Sequence, residues 1–213
     1  MQRIATIIII ALMGAIILPG CTPESETVKT LKSAEVIEYQ GEKLDSAFSL
    51  RENSIKGPQY VNIDNYTLKV DGLVEDPNEY TYEQVLEKQK YTKVVRLYCV
   101  EGWDGNILWE GVLVNDLLND AKVKTEANTI IFHAYDGYTS SLPLSFIKEN
   151  NILLAYKMNN ITLPAERGFP FQVVAEDKLG YKWVKWVTEI ELSDDPDYRG
   201  TRESQGYSNT ADV

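Results

Sequence analysis

Histidine is nearly absent from this chain: 213 residues contain one imidazole, His133. That argues against zinc, mononuclear copper and facial-triad iron centres built on two or three imidazoles. A Ser-His-Asp hydrolase would need His133 as its base, yet it sits in the apolar run TIIFHAY and reads as a packed side chain. Cysteine is almost as scarce. Only Cys21 and Cys99 occur, too few for a disulfide framework. Positive charge is in deficit as well: 21 Lys and Arg stand against 32 Asp and Glu, a net charge of -11. A surface of that sign repels nucleic acid and anionic headgroups. Neither GxGxxG nor GxxxxGK occurs, which removes the glycine-rich phosphate loops. No repeat at a period of 20 to 50 residues is evident. Carboxylate pairs are plentiful, but among so many acidic residues they read as solvated surface and not as glycosidase machinery.

One uncharged apolar run does exist, Ile4 to Leu18, preceded by Arg3. Its 15 residues are short for a membrane span and suit the apolar part of a secretory signal. It ends in Leu18-Pro19-Gly20-Cys21, which resembles a lipobox, with Cys21 the lipidated residue. The alternative is an uncleaved anchor. Both readings put the folded part outside the cytoplasm and tethered to a membrane. The expected organisation is a signal over 1–21, a polar tether over 22–52 and one folded domain over 53–213.

Within that domain the pattern predicts strands over Tyr66–Val70, Lys93–Val100, Thr129–Ala134, Ile152–Met158, Phe171–Ala175 and Trp183–Leu192. Short helices are expected over Tyr82–Gln89 with Thr81 as cap, over Val114–Ala121 and over Leu144–Asn150. Asn159-Asn160 marks a hairpin turn, and from Ser193 a polar tail wraps the domain. Many short strands with few helices give a β-rich α+β class with mixed sheets.

With Cys21 assigned to lipid, Cys99 has no disulfide partner in an oxidising compartment. Such a thiol is a packed apolar group, a reactive thiol or a metal ligand. A single soft thiolate cannot hold a bare ion, so a metal bound there has to arrive inside a larger cofactor.

The residues around Cys99 resemble a known family. Leu97-Tyr98-Cys99-Val100-Glu101-Gly102-Trp103, then Trp109-Glu110-Gly111-Val112 and Leu117-Leu118, are similar to the signature of the sulfite-oxidase-fold molybdopterin proteins. Further stretches match in order. They are Val70-Asp71-Gly72-Leu73-Val74, Asp136-Gly137-Tyr138-Thr139 and Leu154-Ala155-Tyr156-Lys157-Met158-Asn159. Leu163-Pro164-Ala165-Glu166-Arg167-Gly168-Phe169-Pro170 and Gly180-Tyr181-Lys182-Trp183-Val184-Lys185-Trp186 complete the series.

The resemblance implies molybdopterin as cofactor, with molybdenum bound by Cys99. It implies two-electron oxo transfer on a small oxo-acid or sulfoxide. It places Asn53, Arg167, Lys182 and Lys185 at the cofactor, the cations toward its phosphate, and Tyr198 beside the substrate. It also implies an external electron partner, a membrane subunit or a cytochrome. Gln172 stands where the family has an arginine, and no twin-arginine pair precedes the apolar run. Two other readings of the same features remain. One is a cofactor-free lipoprotein using the fold as a binding or interaction module. The other is a redox lipoprotein acting through Cys99 alone, which requires a depressed thiol pKa.

Overall fold

The computed structural model describes residues 26–213, so the signal segment and Cys21 lie outside the described residues. The first sheet is built by β5 (Tyr91–Tyr98), β6 (Asp104–Leu113), β9 (Leu153–Met158), β10 (Ile161–Thr162) and β11 (Gln172–Val174). Its order is β10-β9-β6-β5, and β11 joins β10 along the same edge of β9. The second sheet holds β3 (Leu68–Gly72), β4 (Asn78–Tyr80), β7 (Thr129–Ala134), β8 (Thr139–Pro143) and β12 (Val187–Ser193) in the order β4-β3-β12-β7-β8. Only β3 and β12 pair in parallel there. A small hairpin, β1 (Glu38–Tyr39) with β2 (Glu42–Lys43), precedes both sheets. The helices are α1 (Glu26–Ala34), α2 (Tyr82–Leu86), α3 (Val114–Ala121) and α4 (Leu144–Asn150). This is the expected β-rich architecture with mixed sheets.

Local chemistry explains these elements. Thr81 accepts from the Gln84 N–H while the Gln84 side chain accepts from the Thr81 N–H, a reciprocal cap that starts α2. Helix α3 buries Val114, Leu117, Leu118 and Ala121, the spacing of one helical face. Asn159 and Asn160 both adopt positive φ, 45° and 65°, as a two-residue hairpin turn between β9 and β10 demands. Both sheets and the helices α3 and α4 contribute to one apolar cluster, in which the Trp109 and Trp183 rings meet edge to face at 5.7 Å.

Three expectations change. The segment read as a tether is ordered structure over its described part: Ala47 is fully buried and Leu50 nearly so. Several of its groups are tied into the domain by hydrogen bonds. Glu35 accepts from the Ala47 N–H at 2.6 Å, and Asn159 donates to the Asp45 carbonyl at 2.8 Å and accepts from the Leu108 N–H at 3.1 Å. The last strand begins at Val187, four residues later than expected, because Trp186 takes a left-handed φ of 52° that interrupts extended backbone. His133 is not packed in the core. It points outward from β7 and meets Glu191 at 2.8 Å. Strands β6 and β8 were not anticipated. The tail beyond Ser193 does wrap the domain: Thr201 donates from its backbone to Thr139 on β8, and Leu179 donates to Ala211.

Candidate active site

Cys99 directly follows β5 and opens the turn to β6. The Gly102 N–H donates to the Cys99 carbonyl at 3.0 Å, and the Cys99 N–H donates to the Trp103 carbonyl at 2.9 Å. Gly102 sits at φ 81°, a conformation that costs glycine little, so the turn closes in four residues. The thiol is thereby fixed at the end of a hairpin whose strands pair over eight residues. Its residue is 8% exposed, and Asn53 Nδ2 lies 3.6 Å from Sγ. Burial pushes the thiol pKa up; Glu101 adds to that by its charge, against hydrogen bonds from the Glu101 backbone and the Asn53 side chain. That direction is opposite to the depressed thiol pKa that a redox thiol acting alone requires.

Two cavities share Cys99 and Asn53. The larger, about 150 Å³, is also lined by Ser54, Glu101, Asp136, Tyr138, Lys185, Arg202 and Tyr207. The smaller, about 30 Å³, adds Arg51, Arg167 and Gln172, with Lys185 again in the wall. Three cations, Arg51, Arg167 and Lys185, thus share the smaller cavity with the thiol. Arg167 is buried and donates to the Arg51 carbonyl at 3.0 Å and to the Leu50 carbonyl. Lys185 Nζ donates to Glu52 Oε1 at 3.0 Å and to the Glu166 carbonyl at 3.1 Å. Burial lowers the pKa of Lys185, opposed by Glu52, and lowers that of Arg167, opposed by Glu52 and Glu166. Both are desolvated cations, the kind of group that a buried phosphate stabilises.

Of the residues expected at the site, Asn53, Cys99, Arg167 and Lys185 converge. Lys182 and Tyr198 line neither cavity. Lys182 Nζ is buried among Glu203, the Ser141 carbonyl and Asn209, so its donors are used inside the protein. The Tyr198 hydroxyl lies 3.1 Å from Thr139 Oγ1. The tyrosines that do face the larger cavity are Tyr138, Tyr181 and Tyr207. Sequence reading also passed over Ser54 and Asp136. Asp136 is 4% exposed; its Oδ1 accepts from the Tyr138 N–H at 2.9 Å, while its Oδ2 and the Ser54 Oγ are buried without a protein partner.

Comparison with known proteins agrees with this geometry. The family model of the oxidoreductase molybdopterin binding domain matches residues 55–200. The chain is 34% identical over 151 residues to the uncharacterized oxidoreductase YuiH of Bacillus subtilis, covering 70% of this chain and 76% of that protein. It is 30% identical over 149 residues to the putative protein-methionine-sulfoxide reductase subunit YedZ1 of Azospira oryzae, covering 70% of this chain and 56% of that one. The sulfane dehydrogenase SoxCD of Paracoccus pantotrophus superposes with a TM-score of 0.62 at 25% identity, over 65% of this chain and 41% of that one. Set against these last two relatives, the chain spans about half their length.

A buried thiol that shares a cavity wall with desolvated cations fits an oxidoreductase of the sulfite-oxidase fold. The chain belongs to the molybdopterin-binding oxidoreductase family, and molybdopterin is the cofactor of that family. The residues present fit the group. The donor set is one soft thiol, the cations Arg51, Arg167 and Lys185 frame the smaller cavity, and Ser54 Oγ is an unpaired buried donor in the wall of the larger.

Proposed function

We propose that this protein carries out two-electron oxo transfer on a small sulfoxide or oxo-acid, with the Cys99 thiolate binding molybdenum. Bound molybdopterin supplies a metal that changes oxidation state by two electrons while an oxygen atom passes to or from the substrate. Asn53, 3.6 Å from Sγ, orients the thiol, and Arg167 and Lys185 hold the cofactor's phosphate. The observation that carries the reading is the position of Cys99 in the wall of both cavities, the cationic one and the larger open one.

The larger cavity favours a neutral substrate. Its charges oppose one another, Glu101 and Asp136 against Lys185 and Arg202, and aromatic, aliphatic and small polar residues line the remainder. A doubly charged oxyanion gains little there, in a protein of net charge -11. A sulfoxide is neutral, and its reduction consumes two electrons and two protons and yields a sulfide and water. Asp136, with one carboxylate oxygen free of protein partners, is placed to hold one of those protons. The relative named as a putative protein-methionine-sulfoxide reductase subunit supports the same substrate class.

The reading includes an extracytoplasmic location, with the chain anchored by lipid on Cys21 and reduced by an external electron partner, a membrane subunit or a cytochrome. The apolar run ending in Leu18-Pro19-Gly20-Cys21 supports it. Among the described residues, no helix is long and apolar enough to cross a membrane.

Molybdenum content of protein isolated from native membranes, measured by mass spectrometry, tests the proposal together with turnover of sulfoxides and of sulfite. About one metal per chain is expected, lost in Cys99→Ser without loss of the folded state, with sulfoxides turned over faster than sulfite. Folded, metal-free protein from a host that makes the cofactor would instead support a cofactor-free binding module.

A further inference from the structure

The outer face of the second sheet carries a cluster that the active site does not use. Phe132, Ile190 and Val70 are fully buried, so the residues that alternate with them on β7, β12 and β3 point away from the core. His133, Glu189, Glu191 and Asp71 occupy those outward positions on the three central strands. His133 Nε2 lies 2.8 Å from Glu191 Oε2, and the donor atoms of His133, Glu189 and Glu191 all lie within 4.8 Å of one another. None of the four lines either cavity beside Cys99.

We infer that this cluster is a divalent-cation site of the zinc(II) class, with His133, Glu189 and Glu191 as ligands and Asp71 as their anionic support. Two carboxylates flank the single imidazole, a third stands beyond them on β3, and among the described residues the one ion pair they make is His133 with Glu191. Asp71 on β3 stands directly opposite Glu191 on β12, and its Oδ1 is buried with no hydrogen-bond partner. A buried carboxylate oxygen with no donor is an energetic deficit that a cation in the cluster removes.

The backbone is shaped for the cluster. Val187 and Glu189 pair with the consecutive residues Ala134 and His133, so Thr188 is an inserted bulge residue. The bulge keeps Val187 in the core and sets Glu189 directly opposite His133; the Thr188 hydroxyl donates to the His133 carbonyl at 3.3 Å. One imidazole with carboxylates suits zinc, whereas magnesium and calcium prefer all-oxygen sets. Tetrahedral zinc needs ligand atoms roughly 3.3 Å apart, which small rotations of two glutamates supply. The expectation drawn from a lone histidine, that zinc is disfavoured, holds for poly-imidazole sites and not for this mixed set.

The test uses the full chain without a polyhistidine tag, stripped by chelator and titrated with zinc chloride by calorimetry. About one zinc per chain is expected, together with a shift of the imidazole proton resonances, which the single histidine makes unambiguous. Glu189→Gln and His133→Gln should each weaken binding about tenfold or more, since even groups behind metal ligands carry that much. Cys99→Ser should leave it unchanged, which separates this site from the molybdenum site whatever the fate of the oxidoreductase reading. Millimolar magnesium should not compete. Circular dichroism checks that both variants fold, and Glu189→Gln preserves side-chain shape. Absence of stoichiometric zinc, binding untouched in both variants, or loss of binding in Cys99→Ser would each overturn the inference.

Discussion

Lys182 Nζ and Glu203 Oε1 form an ion pair 2.5 Å apart in which neither side chain has any solvent exposure. The Ser140 hydroxyl donates to the same carboxylate oxygen at 2.6 Å, and Lys182 also donates to the Ser141 carbonyl at 2.9 Å. The pair therefore rivets the C-terminal tail to β8. That tail carries Arg202 and Tyr207 into the cavity wall, so a buried contact that is not at the site holds part of the site in place.

Removing one partner of such a pair leaves an uncompensated buried charge. Lys182→Met should lower the unfolding free energy by about 3–5 kcal/mol, while Lys182→Met with Glu203→Leu should recover most of it. Urea melts of the two variants and the parent give both numbers. A single variant as stable as the parent would show that water reaches Glu203 and that the rivet is not needed.

The pair between Glu52 and Lys185 makes a pH prediction. Burial pushes the Glu52 carboxyl up, but Lys185 and Ser54 outweigh it and hold the pKa below 4.5. A carboxylate depressed by folding stabilises the fold above its unfolded pKa, and that contribution disappears as the pH falls through the folded value. Melting temperature should therefore drop on acidification below about pH 4.5, more steeply in the parent than in Glu52→Gln. Equal acid slopes for the two proteins, followed by thermal melts from pH 6 to pH 3, would show that Glu52 is not coupled to folding.

Arg202 separates the two substrate classes. Its guanidinium stands 5.9 Å from the Tyr207 ring at the cavity wall. An oxyanion would take a charge-assisted bond from it worth about 1.5–3 kcal/mol, so Arg202→Ala would raise KM for such a substrate about tenfold or more. A neutral sulfoxide draws little from that charge. The expected result is a KM for sulfoxide changed by less than about threefold in Arg202→Ala, with kcat retained. A large KM increase for sulfoxide would show that Arg202 contacts the substrate oxygen directly.

The legible parts of the sequence were those in which local pattern and tertiary context agree. Helix α3 keeps its apolar spacing over the expected residues Val114–Ala121, and β7 keeps Thr129–Ala134. Asn53, Cys99, Arg167 and Lys185 came from motif resemblance and do converge. Strand β6 was missed because Asp104 to Leu113 reads as a turn followed by a motif, with glycines at 105 and 111. Lys182 and Lys185 look alike in the sequence, three residues apart. The 3-10 turn over Gly180–Lys182 and the left-handed Trp186 aim one into the tail and the other toward the cavity, and no local pattern encodes that divergence. Arg202 and Tyr207 lie in a polar tail with no periodicity. Long-range contacts bring them to the site, among them the pair of Glu203 with Lys182 and the Thr201 bond to Thr139, so no short window could reveal them.

Gly200 offers a way to test the tail without touching any charged group. A Cβ built on it would sit 2.3 Å from the Thr139 carbonyl oxygen and 2.7 Å from the Ser140 Cα. Those are backbone atoms of a paired strand and cannot yield, so in Gly200→Ala the tail has to lift from β8. The Thr201 N–H, which donates to the Thr139 carbonyl at 2.9 Å, would lose its partner. Overpacking of this kind costs about 1–3 kcal/mol, modest for the fold. Turnover of sulfoxide should fall much further, because Tyr207 moves away from the cavity and the wall opens to water, while molybdenum content stays that of the parent because Cys99, Arg167 and Lys185 are untouched. Hydrogen exchange should quicken at Thr201 and Ser204 while β7 amides stay protected. If exchange quickens there and turnover is unaffected, the tail covers the cavity without taking part in catalysis, and Tyr138 and Asp136 alone define the substrate wall.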